Sequence, residues 1–291
     1  MTPKKKAYFF IHFSVLLYGF TAIIGDLITL TAVNLVWWRV CIATLCLGVL
    51  IGFGKTLHAL DKKTILKFIG IGAIVGIHWI TFFGSIKLSN ASIALVCMAT
   101  TALFTSLLEP ALLKNRLSWI DLSVGIVIIP AMSFIAFSID LSYLTGLAVG
   151  LVSAFLAALF SVLNKKWIQD TDAQTMTFLE MLGAWLCVSL ILPFSHSTSN
   201  SFLPVGTQDW VLIGVLALGC TVLAYVLTLR ALEHLSAFTV NLTINLEPVY
   251  GIILAAVLLK EHEQLNSRFY LGCIIIILAV FIYPTLKSRL K

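Results

Sequence analysis

Glu247, Arg39 and Glu180 each stand inside a long apolar run of the chain. An ionisable group costs on the order of 2.5–3.5 kcal/mol at the centre of a membrane helix. Each of the three is therefore expected to face a wet cavity or a partner. Glu247 is the deepest, about eleven residues into its run, or about 16 Å at a helical rise of ~1.5 Å per residue. Pro248 follows it. A proline lacks the backbone N–H and clashes with the preceding turn, so a kink is expected there. The carbonyls a kink frees can serve a cavity. Glu247 thus reads as a carboxylate that carries a proton or binds an amine. The competing reading is a carboxyl kept protonated, or paired with Arg39, for helix packing.

Asn241 and Asn245 are spaced i,i+4 and share a helix face, rotated by about 160–200° from Glu247. Either that face or the Glu247 face must pack against a neighbour, unless the kink reorients them. Both amides are candidates for substrate contact. Arg39 follows Trp37 and Trp38 near one end of its run. It reads either as a snorkelling anchor beside an interfacial aromatic belt or as a bidentate clamp for a carboxylate. Glu180 stands at the mirrored depth of another run and is a second candidate for proton coupling. The two depths differ too much for a direct Arg39–Glu180 contact. His78 and Trp79 lie together in one run; Trp79 offers a stacking face on one side of the membrane and Tyr225 a second on the other. Thr100 and Thr101 place hydroxyls near the midplane. Glu109 lies one turn from the cytoplasmic end of its run, close to Lys114 and Arg116, and a surface ion pair is expected there.

These side chains need elements long enough to hold them in a bilayer. The chain of 291 residues is 60% hydrophobic and only 11% charged, against about 25% charged in ordinary soluble domains. That excludes a conventional soluble enzyme, a disordered protein and a nucleic-acid binder. A membrane span takes roughly 20 apolar residues. Ten such runs are present, at about Ala7–Gly25, Asn34–Phe53, Ile65–Gly84, Ser92–Leu113, Trp119–Phe137, Tyr143–Leu163, Thr175–Phe194, Trp210–Leu229, Ala237–Leu259 and Phe269–Leu286. The first is expected to remain a span and not to be removed as a signal peptide. With the N-terminus in the cytoplasm, 15 of the 19 Lys and Arg residues fall on the cytoplasmic side, three outside and Arg39 within a span. That bias supports both termini inside. The expected fold is all-α.

The chain also repeats itself. Ser85–Ala91 aligns with Ala231–Ala237 at an offset of about 146, which also sets Trp79 against Tyr225. An offset of about 141 sets Arg39 against Glu180. Two units follow, residues 7–138 and 142–286. Five spans each is an odd number, so the second unit enters the membrane from the opposite face. Inverted repeats of this kind point to alternating access around a site at the repeat interface. Spans three, four, eight and nine are expected to line it. Gly72-xxx-Gly76 and Gly146-xxx-Gly150 read as close helix contacts.

Ala231-Leu232, Ser236-Ala237, Pro248, Leu258-Leu259-Lys260-Glu261 and Gly272 are similar to the "AL…SA…P…LLxE…G" run of EamA-type transporters in the drug/metabolite transporter superfamily. The resemblance covers essentially the whole chain. The first half departs from it, with Thr101-Ala102 at the Glu247-Pro248 position and Asn115 at that of Glu261. The resemblance implies export of amino acids or related metabolites by proton-coupled or facilitated exchange.

No cofactor or metal is expected. The six cysteines lack metal spacing, Glu261-His262-Glu263 lies in a loop, and there is no HExxH, GxGD or phosphate-binding GxxxxGK[ST]. The partners expected are a small-molecule metabolite, the lipid bilayer and a proton as candidate coupling ion, with no nucleic acid. The expected location is a bacterial plasma (inner) membrane. The alternatives are a non-transporting scaffold or receptor, or an intramembrane enzyme, for which no catalytic set is present.

Overall fold

A chain in hydrocarbon must satisfy its backbone polar groups within each segment, and helices do so. In the computed structural model, described for residues 2–52, 60–89, 91–135, 144–194, 202–247, 249–250 and 267–289, every regular element is a helix. In order they are α1 (Pro3–Leu27), α2 (Ala32–Ile51), α3 (Lys62–Leu88), α4 (Ala91–Ala99), α5 (Thr101–Leu113) and α6 (Trp119–Ile135). Then follow α7 (Leu144–Trp167), α8 (Ala173–Ile191), α9 (Gly206–Ala217), α10 (Ala224–Leu232), α11 (Ala237–Ile244) and α12 (Ser267–Arg289). Among the described residues, seven helical stretches are long and apolar enough to cross a membrane. Trp119–Ala131 and Ile274–Lys287 are shorter apolar helices. The chain is a polytopic, all-helical membrane protein. Most of the expected ninth run beyond Tyr250 lies outside the described residues, as do Pro248, Gly251 and the Leu258–Glu261 motif.

Helix starts follow their capping residues. The hydroxyl oxygen of Thr31 accepts the Asn34 N–H at 3.3 Å, and Ser236 accepts that of Thr239 at 3.1 Å. Asp172 accepts from both Gln174 and Thr175. Such caps satisfy backbone donors that a helix leaves orphaned.

Three of the expected runs are interrupted. The fourth divides at Thr100, where the Thr100 N–H turns back to the Cys97 carbonyl at 3.0 Å and the hydroxyl donates to the same oxygen at 2.6 Å. The ninth ends its first segment at Ile244, and the N–H groups of Asn245 and Leu246 reach back only three residues, to Leu242 and Thr243. Pro248 has no N–H to return to the Ile244 carbonyl, so the break at that place has a covalent cause. The eighth run carries a π turn, Leu218–Leu223, between α9 and α10.

Glycines set the closest crossing. A Cβ on Gly72 would sit 2.1 Å from the Glu180 carbonyl oxygen, and one on Gly183 would sit 2.2 Å from that of Ile69. The backbones of α3 and α8 therefore touch reciprocally, and α2 lies against α8 as well. Gly76 meets Ala184 on the same crossing, and Gly146 and Gly150 meet Ser89, Ser85 and Cys97.

Two polar links close opposite ends of the bundle. Thr29, before α2, donates its hydroxyl to Asp209 at the start of α9 at 2.6 Å. The Thr29 and Val205 N–H groups reach the same carboxylate. At the other end, beyond the length of α2, Lys67 of α3 pairs with Asp170 before α8. Thr29 and Asp170 stand at the same offset as Arg39 and Glu180.

Candidate functional site

Arg39 is 1% exposed and turns inward, which corrects the snorkelling alternative. Its guanidinium stacks 4.2 Å from the Trp79 ring centroid. Its Nε donates to the Thr221 hydroxyl at 2.6 Å and one Nη to the Cys220 carbonyl at 3.4 Å. The π turn makes this possible: the Thr221 hydroxyl is itself bonded back five residues, to the Leu216 carbonyl. Trp37 and Trp38 instead join Trp185, Phe202 and Trp210 in an aromatic cluster beside the loop at Phe202.

Glu180 is fully buried. The Tyr225 hydroxyl donates to its Oε2 at 2.5 Å and the Asn164 amide at 3.2 Å. The guanidinium on α2 thus leans on an aromatic ring of α3, and the carboxyl on α8 accepts from a tyrosine hydroxyl of α10. The two rings meet edge to face, with centroids 6.4 Å apart. Trp79 and Tyr225 therefore do not serve opposite sides of the membrane, as expected from their depths. The two rings converge on the same cavity. Arg39 and Glu180 form no ion pair with each other.

These groups surround a cavity of about 100 Å³. One water needs ~10–15 Å³ of such space, so there is room for several waters or a small solute. Arg39, His78, Trp79, Thr101, Tyr225, Asn241 and Glu247 all line it. Glu180 stands one hydrogen bond behind, through Asn164 and Tyr225. His78 shares its Nδ1 with the Ser153 hydroxyl at 2.9 Å. The Asn241 amide donates to Thr105 at 2.8 Å. Asn245 lies off the lining and points at the Ala99 carbonyl, 3.5 Å away and 146 residues earlier. That spacing is the repeat offset itself, so the two helix breaks meet each other. The turn at Asn245–Leu246 also explains why Asn241 and Glu247 share the cavity despite opposing faces on an ideal helix.

The lining draws on more helices than expected. Tyr18 and Thr21 come from α1, Arg39 from α2, and Phe160, Ser161 and Asn164 from α7. Tyr18 and Thr21 are spaced i,i+3 and Ser161 and Asn164 likewise, a polar pairing on one face of an apolar run that marks them in the sequence. Three lining atoms are buried and have no hydrogen-bond partner among the described residues: an Nη of Arg39, Oδ1 of Asn164 and Oγ1 of Thr21. Buried polar atoms are nearly always paired. Arg39 thus keeps one donor unpaired, and Asn164 one acceptor, on side chains that line the same cavity.

Glu109 is corrected too. Its carboxylate accepts the Phe238 N–H at 2.8 Å, capping α11, in place of an ion pair with Lys114 or Arg116. A carboxylate at a helix N-terminus is favoured by the orphan donors and the helix dipole. Among the described residues no group of three or more His, Cys, Asp or Glu could hold a metal.

The EamA-like transporter family model matches the chain twice, over residues 5–137 and 144–284. An uncharacterized transporter of Bacillus subtilis, YxxF, is 26% identical over 253 residues, covering 84% of this chain and 79% of its own. An uncharacterized transporter of Archaeoglobus fulgidus is 26% identical over 225 residues, covering 77% of each chain. A crystal structure with 15% identity shares the fold at a TM-score of 0.78, covering 99% of both chains. The cavity lies between the two matched stretches, and those stretches take in nearly the whole sequence: the chain belongs to the EamA-like transporter family.

Proposed function

We propose that this membrane transporter is a secondary exporter of amino acids or related small polar metabolites, working by alternating access in a bacterial plasma membrane. One observation carries the reading. The cavity is lined by Arg39, which keeps an unpaired guanidinium donor, and by Asn164, which keeps an unpaired amide acceptor, in company with Glu247. A ligand that pairs both must offer an acceptor, best an anionic one, and a donor. An amino acid offers a carboxylate and an ammonium in one small frame. The guanidinium fork suits the carboxylate.

The proposed frame is ten spans in two inverted five-helix repeats, with both termini cytoplasmic. Broken helices at a repeat interface are the usual seat of transported solutes. The breaks at Thr100 and Asn245–Leu246 support that frame. Glu247 is the proposed proton carrier. The test is uptake by proteoliposomes under an imposed pH gradient, using a panel of radiolabelled amino acids. Glu247→Gln is expected to abolish the gradient-driven component while leaving exchange. Undiminished gradient-driven uptake in that variant overturns the coupling. A scaffold would tolerate joint loss of Glu247, Asn245 and Arg39, whereas the transporter is expected to lose all uptake.

A further inference from the structure

We infer that Glu180 and Asn164 form a seat for a monovalent cation, distinct from Glu247, either an alkali ion or the ammonium group of the transported solute. The inference rests on the transporter reading only for the second source. Glu180 is 0% exposed and Asn164 1%. The Asn164 amide nitrogen and the Tyr225 hydroxyl both donate to one carboxylate oxygen, Oε2. The other, Oε1, has no partner among the described residues, and neither does Oδ1 of Asn164. Two open acceptors therefore flank a single hydrogen bond, and no Lys or Arg pairs with the carboxylate among the described residues.

A buried carboxylate without a counter-charge is expensive. The donors that Glu180 already holds are neutral and fill one oxygen only. The same Asn164 amide also donates to the Tyr225 hydroxyl oxygen, at 3.1 Å. Both donors are thus used up within the cluster, and what remains outward is acceptor alone. When the Glu180 carboxyl is ionised, this acceptor-only cluster carries one negative charge and suits a cation of one positive charge. Rings close around it: Phe160 and Trp79 lie 6.2 Å and 6.4 Å from the Tyr225 ring. Aromatic faces exclude water and tolerate cations. Asn164 lines the cavity and Glu180 lies directly behind it, so the seat adjoins the solute's own space.

The test uses the purified full chain in detergent and reads its thermal midpoint. Sodium chloride, methylammonium chloride and alanine are titrated separately, with choline chloride balancing ionic strength. The midpoint of the wild type is expected to rise with sodium, which identifies an alkali-ion seat, or with methylammonium and alanine, which identifies an ammonium seat. Glu180→Gln keeps the side chain's shape and an oxygen for the Tyr225 hydroxyl but removes the charge. It is expected to weaken the response at least tenfold in concentration. Asn164→Ser, which keeps the carboxylate, is expected to weaken it less, and serves if Glu180→Gln does not fold. A wild type that responds to none of the three, or only to pH, overturns the seat. So does an unchanged response in both variants. Alanine counterflow in proteoliposomes is read separately. Its failure beside an intact sodium response would fell the amino-acid reading and leave the seat standing.

Discussion

Arg39 shows how a side chain's meaning depends on neighbours that local sequence does not name. Its type and depth make it a candidate clamp or an anchor; only the crossing of α2 with the π turn decides that it points inward. Glu247, Asn241, His78, Trp79, Tyr225 and Thr101 are visible as polar or aromatic groups in apolar runs, and the fold brings them to one cavity. Tyr18, Thr21 and Asn164 stand out less, because single hydroxyls and amides in a span usually satisfy themselves locally. Glu109 is misleading in the sequence because its partner is a backbone N–H 129 residues away. Arg39→Lys tests the clamp. A lysine supplies a point charge without the planar fork, and loses both the stack on Trp79 and the paired donors. If the proposed amino-acid substrate is used, its apparent KM is expected to rise about tenfold or more, equivalent to about 1.4 kcal/mol. An unchanged KM would remove Arg39 from the site.

Among the elements, the existence of the helices is legible from hydrophobic length alone, while their interruptions are less so. Pro248 announces the break near Asn245. Nothing as strong announces the break at Thr100, where a hydroxyl takes a carbonyl that the helix would otherwise use. The π turn leaves no local mark in the sequence either. The crossing of α3 and α8 is foreshadowed by Gly72-xxx-Gly76, but its partner Gly183 is not. A methyl on Gly72 or Gly183 would collide with backbone, which has no rotamer to escape into. Gly72→Ala is expected to lower the thermal midpoint by several degrees, in line with the roughly 1–3 kcal/mol typical of overpacking. The same change at Gly70, where a Cβ meets nothing within 4 Å, is expected to leave it unchanged. Equal midpoints for the two variants would show that the helices can separate without cost.

For the molecule as a whole, the two polar links tie one matched unit to the other at opposite ends. In the proposed alternating-access cycle, opening toward either side breaks the link at that end. Cysteines placed at Thr29 and Asp209 and joined as a disulfide are expected to arrest transport, with activity restored by reductant. A second pair at Lys67 and Asp170 is expected to do the same. Transport that continues at full rate through either closed link would exclude that end as a moving gap.

The two links are built from different chemistry, and that has a consequence for the balance between states. At one end Asp209 is 2% exposed and is held by a hydroxyl and two backbone N–H groups. At the other, the Lys67 and Asp170 side chains are 19% and 33% exposed, and their attraction acts partly through water. Mobile ions screen such a pair over ~8 Å at physiological ionic strength, and it contributes about 0–1 kcal/mol. They scarcely touch the link at Asp209, whose donors are all neutral. Raising salt should therefore loosen one end and spare the other, tilting the resting population by up to about fivefold. In the proposed cycle this link would then sense ionic strength as a directional bias, whichever salt supplies it.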